Sequence, residues 1–339
     1  MSTSLKIILA FSTFLFPGLL RGQDADVHFS QFFHSPLFLN PALTGAEDAD
    51  LRFAAVHRRQ WQSVPIPYLT FAAAGDARLP LTIADRAAIS VGLTLVHDEA
   101  GDGNLSLTAL SANVSARVEL SRHHALSVGF ALGGGQRGVD PGRLQWGSQF
   151  DGEIFNPGQI PGEQVEHLTR GFADLSGGLN WQVTPSDDIR FDIGAGVFHV
   201  NRPDISFLGL EPQPWAMRIS AYAMGTARLS GPLLLRAHSM VQVQGTKREI
   251  LIGSGLIMEL DARPGSGLAI GGHMTVRVGD AIIPTLEIRY GPWTAGVSFD
   301  INTSGFRTAT AQRGGPELVL IHTIRPVRPP GIFESCPIY

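Results

Sequence analysis

Apolar and polar residues alternate along most of the chain with a period of two, whereas a helix has a period of about 3.6. In one clear example, Ile189, Phe191 and Ile193 are separated by Arg190 and Asp192. Because successive side chains of a strand point to opposite faces, one face is apolar and the other polar. A helix would distribute these charges around its whole surface. The pattern predicts strands with one lipid-facing side and one lumen-facing side.

Read over the whole chain, the alternation predicts a transmembrane antiparallel β-barrel of about fourteen strands, an all-β fold with an even strand number, as single-chain outer-membrane barrels require. The predicted strands lie near residues 51–58, 67–74, 87–97, 104–120, 124–134, 168–182, 189–199, 215–229, 232–244, 250–261, 267–277, 281–290, 293–300 and 316–324. The fourth segment changes phase near Ala109–Leu110, which predicts a bulge or a shifted strand boundary there. A large soluble all-β protein is the alternative fold.

The lengths of the connections favour the membrane barrel. If the barrel starts at the periplasm, the periplasmic turns are 77–86, 121–123, 184–188, 230–231, 261–266 and 291–292. The opposite set contains the long segments 135–167, 200–214 and 301–315, although 245–249 and 278–280 are short. Short periplasmic turns and long outer loops are typical of outer-membrane barrels. An even strand count then predicts that both mature termini are periplasmic.

The first residues are typical of a secretory signal peptide. Lys6 precedes an apolar run from Ile7 to Leu20, and small or polar residues follow it. The run is short and is interrupted by Pro17, so a membrane-spanning helix is not favoured. We predict a signal peptide over residues 1–22, with an uncleaved N-terminal helix as the alternative. Three mature segments follow: an N-terminal periplasmic or plug segment (23–50), the barrel (51–324) and a C-terminal periplasmic tail (325–339).

Composition narrows the class of protein. The formal net charge of −4 gives no electrostatic case for a nucleic-acid partner. Charged residues make up 17% of the chain, below the roughly one quarter that is usual in soluble proteins. The single cysteine, Cys336, excludes an intrachain disulfide, and its role stays open.

The sequence contains no recognisable catalytic motif. A nucleophile elbow, a phosphate-binding loop, a dinucleotide-binding glycine set and a paired-histidine zinc motif are all missing from the sequence. We therefore expect no enzymatic activity, no catalytic or metal-binding residues and no cofactor.

Several short motifs occur in a fixed order along the chain. They are Phe29-Ser30-Gln31, Asn40-Pro41-Ala42 with Gly45, Arg58-Arg59-Gln60-Trp61, Asp98 to Gly101, Leu126 to Gly129, His199 to Pro203 with Ser206-Phe207, and Cys336-Pro337. In this order they resemble the PorP/SprF family, whose members are membrane proteins of the type IX secretion system of Bacteroidota. Phe38 replaces a tyrosine that is usual in the family, and Leu43 replaces another aromatic residue.

The resemblance implies an integral outer-membrane component of the type IX secretion and gliding apparatus. The partners it implies are other type IX secretion subunits, a peptidoglycan-linked periplasmic protein and secreted surface proteins, besides the lipid bilayer. A passive porin or solute-transport barrel is the alternative function, and an outer-membrane lipid hydrolase is a third. The sequence leaves open which cargo is served, whether motility is involved and whether the lumen conducts.

The segment before the barrel is dense in aromatic rings that must be buried somewhere. We hypothesise that it forms a rigid periplasmic element that docks a secretion partner, because prolines restrict its backbone and aromatic anchors resemble interface hot spots. The candidate partner-binding residues are Phe29, Phe32, Phe33, Pro36, Phe38, Asn40, Pro41, Gly45 and Trp61. The alternative is a plug that fills the lumen and only stabilises the barrel.

Overall fold

The computed structural model describes residues 26–325 except 48, 62–67, 84–86, 102, 141–146, 157, 160–168, 208–211, 262–266 and 306. The described chain forms a closed barrel of fourteen strands, as predicted. The strands are β1 (Leu51–Gln60), β2 (Tyr68–Ile83), β3 (Ala87–Ala100), β4 (Leu105–Ser121), β5 (His124–Gly138), β6 (Thr169–Ser186), β7 (Ile189–Phe198), β8 (Arg218–Ser230), β9 (Leu233–Gln244), β10 (Lys247–Asp261), β11 (Leu268–Arg277), β12 (Ala281–Tyr290), β13 (Trp293–Asn302) and β14 (Arg313–Ile324).

Each strand pairs antiparallel with its neighbours in sequence, and β1 pairs with β14 to close the barrel. This last pairing runs from Leu51 opposite Ile324 to Arg58 opposite Glu317. Closure removes the free sheet edges that would otherwise leave unpaired backbone groups in lipid.

The alternation places the faces as predicted. On β12, Leu286 is 65% exposed on the outer surface, while its neighbour Glu287 is 2% exposed inside the lumen. The predicted irregularity near Ala109–Leu110 is wrong, because β4 pairs in continuous register with β3 and β5 through these residues. The phase of apolar residues changes because Leu107 points inward, where it packs against Ile205 and Trp215.

The connections differ between the two ends of the barrel. At the end called here the loop end lie the connections 139–168, 199–217 and 303–312, besides the short ones 101–104, 245–246 and 278–280. At the turn end lie 84–86, 122–123, 187–188, 231–232, 262–267 and 291–292. Three exposed aromatic residues, Trp181, Tyr290 and Trp293, occupy the outer surface near the turn end. Such a belt is typical of a membrane–water interface in outer-membrane barrels.

The segment before β1 lies inside the lumen, and residues 26–47 are called the plug here. The backbone N–H of Asp26 donates to Gln244 at the loop end (2.8 Å), whereas that of Asp50 donates to Ile324 at the turn end (3.0 Å). The described chain therefore begins and ends at opposite ends of the barrel. The prediction that both mature termini are periplasmic counted strands only and did not include this passage through the lumen; the side on which each mature terminus lies stays a prediction.

Several sequence predictions concern residues outside the described ranges. The signal peptide, the cleavage site and Cys336 are among them, as is the C-terminal tail beyond residue 325. None of the helices in the described part of the chain is both long and apolar enough to cross a bilayer.

Candidate functional site

The plug folds as a chain of short turns. It contains a 3-10 turn at Phe32–His34, a helical turn α1 (Pro36–Leu39) and a second 3-10 turn at Pro41–Leu43. Each proline stands at the first position of its turn, where its fixed backbone angle is favourable and its missing N–H costs nothing. The Asn40 side chain caps the last turn by accepting from the Ala42 N–H at 2.9 Å.

A buried charge cluster, called here the FSQ anchor, holds the first part of the plug. The backbone N–H groups of Ser30 and Gln31 donate to the Glu317 carboxylate at 2.8 and 2.7 Å. Arg58 donates to Glu317 (2.7 Å) and to Asp300 (2.8 Å), and it also donates to the Ser30 hydroxyl. All five residues are almost fully buried, so each carboxylate needs these donors to compensate its lost hydration.

The FSQ anchor continues around the wall through Arg277 on β11. This guanidinium donates to Asp300 at 2.6 Å, to Glu249 at 2.7 Å and to the Ser30 hydroxyl at 2.9 Å. Glu249 also lies 3.0 Å from the His28 ring of the plug. The Ser30 hydroxyl therefore joins cations from two separate strands.

A second charge cluster surrounds Glu287 on β12. His34 of the plug lies 3.0 Å from this carboxylate, which also accepts from Arg236 at 2.6 Å and from Arg289 at 2.5 Å. Phe33 packs beside it, with its ring centroid 4.4 Å from that of His238. The first part of the plug is thus fixed by contacts with buried charges of the wall and by ring contacts together.

Neutral hydrogen bonds hold the middle of the plug. The Asn40 amide donates to the Leu179 carbonyl at 2.8 Å and to the Tyr222 hydroxyl at 2.9 Å. That hydroxyl donates in turn to Asn180 at 2.9 Å. Asn40 therefore links β6 to β8 from inside the barrel.

Three glycines of the wall let the plug backbone approach closely. A Cβ atom at Gly129 would clash with the backbone of Pro41 and Ala42, and one at Gly196 would lie 2.7 Å from the Leu39 carbonyl oxygen. At Gly178 it would clash with the Asn40 amide oxygen. No larger residue fits these positions while the plug stays where it is.

The plug leaves the lumen through a tight turn at Gly45, whose φ of 67° favours glycine. The Gly45 N–H donates to Asp76 at 2.7 Å, and its carbonyl accepts from Arg78 at 2.9 Å. Arg52 bridges Asp76 (2.8 Å) and Glu47 (3.1 Å). The end of the plug is thereby tied to β1 and β2, where the barrel begins.

At the loop end, Asp26 ties the start of the plug to the wall. Its carboxylate lies 3.0 Å from His199 and 3.1 Å from Arg218, and the other ring nitrogen of His199 lies 2.9 Å from Asp174. Burial raises the pKa of Asp26, but Arg218 and His199 outweigh it and hold this pKa well below its usual range. Burial lowers the pKa of His199, but its contacts with Asp174 and Asp26 raise it above its ordinary value. A charged pair is therefore favoured here.

The aromatic residues proposed as partner anchors are turned toward the barrel wall. Phe29 and Phe32 are 7% and 3% exposed, while Phe33 and Phe38 are partly buried against the same clusters. This arrangement corresponds to the plug that the sequence left as the alternative to a docking element. Partner contacts by these residues stay a prediction, and they would require the plug to rearrange.

Trp61 does not belong to the same end as Gly45. Its backbone N–H donates to the Gly314 carbonyl at 2.7 Å, and its ring meets Tyr68 edge-on at the loop end. Gly45 and Trp61 lie at opposite ends of the barrel, because β1 carries the chain across it between them, and a shared role of the two in partner binding stays a prediction.

The sequence did not predict which wall residues contact the plug. Examples are Glu317, Asp300 and Tyr222, which occupy ordinary inward-facing positions of alternating strands. The signal that could have found them is a carboxylate or tyrosine on the polar face of a membrane strand, because an ionisable side chain is rare there unless it has a partner.

Two spaces remain beside the plug. A cavity of about 550 Å³ opens at the loop end and is lined by Val27, Trp61, Tyr68, Trp215 and Arg248 among others. A smaller space of about 70 Å³ lies between the plug and the inner faces of β3 to β6. The larger space adjoins the FSQ anchor, because Arg58 and Arg277 are among its lining residues.

One solved structure, a FadL homologue, supports the fold, and two others match more weakly. A FadL homologue from Pseudomonas aeruginosa is 11% identical with a TM-score of 0.51, and the match covers 86% of this chain and 94% of that one. The CymD monoaromatic hydrocarbon channel matches at 9% identity and a TM-score of 0.48 over 87% and 94% of the two chains. CdiB from Escherichia coli matches at 8% identity and 0.44 over 81% and 63%. At such low identities these similarities concern the barrel alone.

Family membership rests on a sequence-family comparison. Comparison with curated protein sequences gave no significant match. The model of the type IX secretion system membrane protein PorP/SprF family matches residues 22–320, which include the plug and nearly the whole barrel. With its closed outer-membrane barrel and internal plug, this chain belongs to the PorP/SprF family of type IX secretion system membrane proteins.

Proposed function

We propose that this protein works as a plugged outer-membrane anchor that binds type IX secretion subunits or secreted surface proteins, and not as an open pore. The observation that carries the proposal is the plug itself, which hydrogen bonds to buried charges of the wall hold on one side and glycine contacts hold on the other. Opening the lumen would expose several compensated charges at once, which is costly unless water or a partner replaces the lost contacts.

The binding function is tested by co-purification. A tagged full-length protein is captured from native envelopes, and bound proteins are identified by mass spectrometry. Type IX secretion subunits or surface proteins should be enriched over an unrelated barrel of similar abundance. Recovery of no such protein under mild detergent conditions would contradict the proposal.

The role of the plug rings is separated by a double substitution. Phe32→Ala with Phe33→Ala should lower heat resistance, because both rings pack inside the lumen. If partners still co-purify, the rings are structural and the docking hypothesis for residues 29–45 fails. If partners are lost while heat resistance is retained, docking is supported.

A closed lumen predicts low conductance. In planar bilayers the wild-type protein should conduct only briefly and rarely, whereas a variant lacking residues 26–46 that still inserts should give steady currents. Steady wild-type currents would support the solute-transport alternative.

Lipid and peptide hydrolysis assays of the purified protein should reveal no catalytic turnover.

We also propose that the turn end faces the periplasm. The short turns at that end support this orientation. An epitope inserted near Phe150 should be labelled on intact cells, whereas one at Tyr339 should not. Surface labelling at Tyr339 would contradict it.

A further inference from the structure

The FSQ anchor lies on the seam where the barrel closes. The ladder between β1 and β14 runs from Leu51 opposite Ile324 to Arg58 opposite Glu317. The anchor uses the last of these pairs, so it lies where the regular pairing of the two strands stops. Just beyond, Pro316 has no N–H to donate, and the two strand ends are next joined by the bond from the Trp61 N–H to the Gly314 carbonyl at 2.7 Å.

Ser30 and Gln31 contact both sides of this seam. Their N–H groups donate to Glu317 on β14, and the Ser30 hydroxyl accepts from Arg58 on β1. The Gln31 side-chain amide donates to the Glu317 carbonyl (3.0 Å) and to Ser298 on β13 (3.1 Å). Two consecutive plug residues therefore bridge three neighbouring strands.

Several polar contacts of the plug lie away from the seam, although Phe29 packs in one cluster with Val56 of β1 and Val319 of β14. Asn40 joins β6 and β8, and His34 reaches Glu287 on β12. The plug also follows a folded path: from the loop end it descends to His34, returns to Phe38 beside Arg218, and descends again to Gly45. Such a folded segment could not slide through a closed lumen past the tight contacts at Gly129 and Gly178.

From these contacts we propose that Ser30 and Gln31 staple the barrel seam, so that β1 and β14 close around a plug that is already in place. The plug then stabilises the closing strands directly. Any rearrangement that withdraws Ser30 and Gln31 should loosen the seam before it loosens other strand pairs. This inference does not depend on which partner the protein binds.

Hydrogen exchange of the full-length protein in micelles tests the staple. Ser30→Ala with Gln31→Ala should raise amide exchange in β1 and β14 by about tenfold, because the side-chain hydrogen bonds to Arg58, Ser298 and the Glu317 carbonyl are lost, while the two backbone N–H groups keep the Glu317 carboxylate. The matched control is Asn40→Ala, which removes a comparable set of plug contacts and should loosen β6 and β8 instead. Equal exchange at the seam in both variants, or an unchanged seam in the double variant, would overturn the proposal.

A disulfide across the seam keeps the test decisive if the double variant folds poorly. Ala55 and Leu320 are registered partners on the lipid-facing side, so cysteines at both positions should lock β1 to β14 in a Cys336→Ser background. The disulfide should restore heat resistance to the Ser30/Gln31 variant but not to Asn40→Ala. Rescue of neither variant, or of both alike, would contradict a seam-specific staple.

Discussion

The two parts of the plug are held by different chemistry. Residues 26–34 meet the wall through buried charges, with Glu317 and Glu287 as the central carboxylates. Residues 35–44 meet it mainly through neutral hydrogen bonds and close backbone contact with glycines, as at Gly129, although Arg218 donates to the Phe38 carbonyl. The charged part lies mainly against β9 to β14 and β1, and the neutral part mainly against β2 to β8.

This difference shows how one short segment can have a single position in a wide lumen. A buried charge is costly unless its partner is in the right place, so the charged part penalises every shifted arrangement. At the wall glycines there is no room for a larger side chain, so the neutral part fits only when the plug backbone lies directly against the wall. The family motifs follow the same division, since Ser30-Gln31 meets Arg58 and Pro41-Ala42 meets Gly129.

The largest effect should come from removing the central carboxylate of the charged part. Glu317→Ala leaves Arg58 partly uncompensated and the N–H groups of Ser30 and Gln31 without their acceptor. We expect the free energy of unfolding to fall by about 3–5 kcal/mol. Urea unfolding in lipid vesicles, followed by tryptophan fluorescence, measures it.

Glu259→Ala is the control for this substitution. Glu259 pairs with Arg228 at 2.7 Å, but both side chains are about one third exposed at the turn end. Its loss should cost less than about 1 kcal/mol. Similar losses in the two variants would mean that burial does not set the strength of the charged part.

The neutral part should respond to added volume. Gly129→Ala forces the backbone of Pro41 and Ala42 away from β5, and we expect a loss of about 1–3 kcal/mol. Gly272→Ala, on the outer face of β11 with no neighbouring atom near its Cβ position, should leave stability unchanged within about 0.5 kcal/mol. If Gly129→Ala behaves like Gly272→Ala, the plug backbone does not rest on β5.

The barrel could be predicted from sequence to a greater extent than the plug. Alternation such as that around Asp192 reports which face of a strand a residue occupies, so all fourteen strands were located. It does not report which distant residue lies opposite, and the contact of Ser30 with Glu317 spans 287 positions. Leu107 is an apolar residue that faces inward, because Ile205 and Trp215 pack against it there, and alternation alone does not predict this.

A smaller effect is expected at the hydrogen bonds of Asn40. Tyr222→Phe removes the hydroxyl that joins Asn40 to Asn180, while the Asn40 amide keeps its bond to the Leu179 carbonyl. We expect a loss of about 0.5–1.5 kcal/mol. Tyr290→Phe, on the exposed outer surface, is the matched control and should show no comparable loss. A larger loss than that of Gly129→Ala would mean that this hydroxyl, more than close packing, holds the neutral part.

The smallest effect should be a pH dependence at the start of the plug. The lowered pKa of Asp26 means that its contribution to stability is present above its ordinary value of 3.8 and is lost as pH falls through the lowered pKa. The raised pKa of His199 means that its contribution is present below 6.5 and is lost as pH rises through the raised value. The Asp26–His199 contact should therefore be strongest from about pH 4 to about pH 6.5.

Trp215 offers a local probe of this contact, because its ring stacks on His199 with centroids 3.9 Å apart. The fluorescence difference between wild type and Trp215→Phe should change as pH rises above about 6.5, when His199 loses its proton. Asp26→Asn removes one of the two carboxylates that raise the pKa of His199, so the change should move to lower pH. An identical pH profile in Asp26→Asn would show that the start of the plug is held without this ion pair, and the charged part would then depend on Glu317 and Glu287 alone.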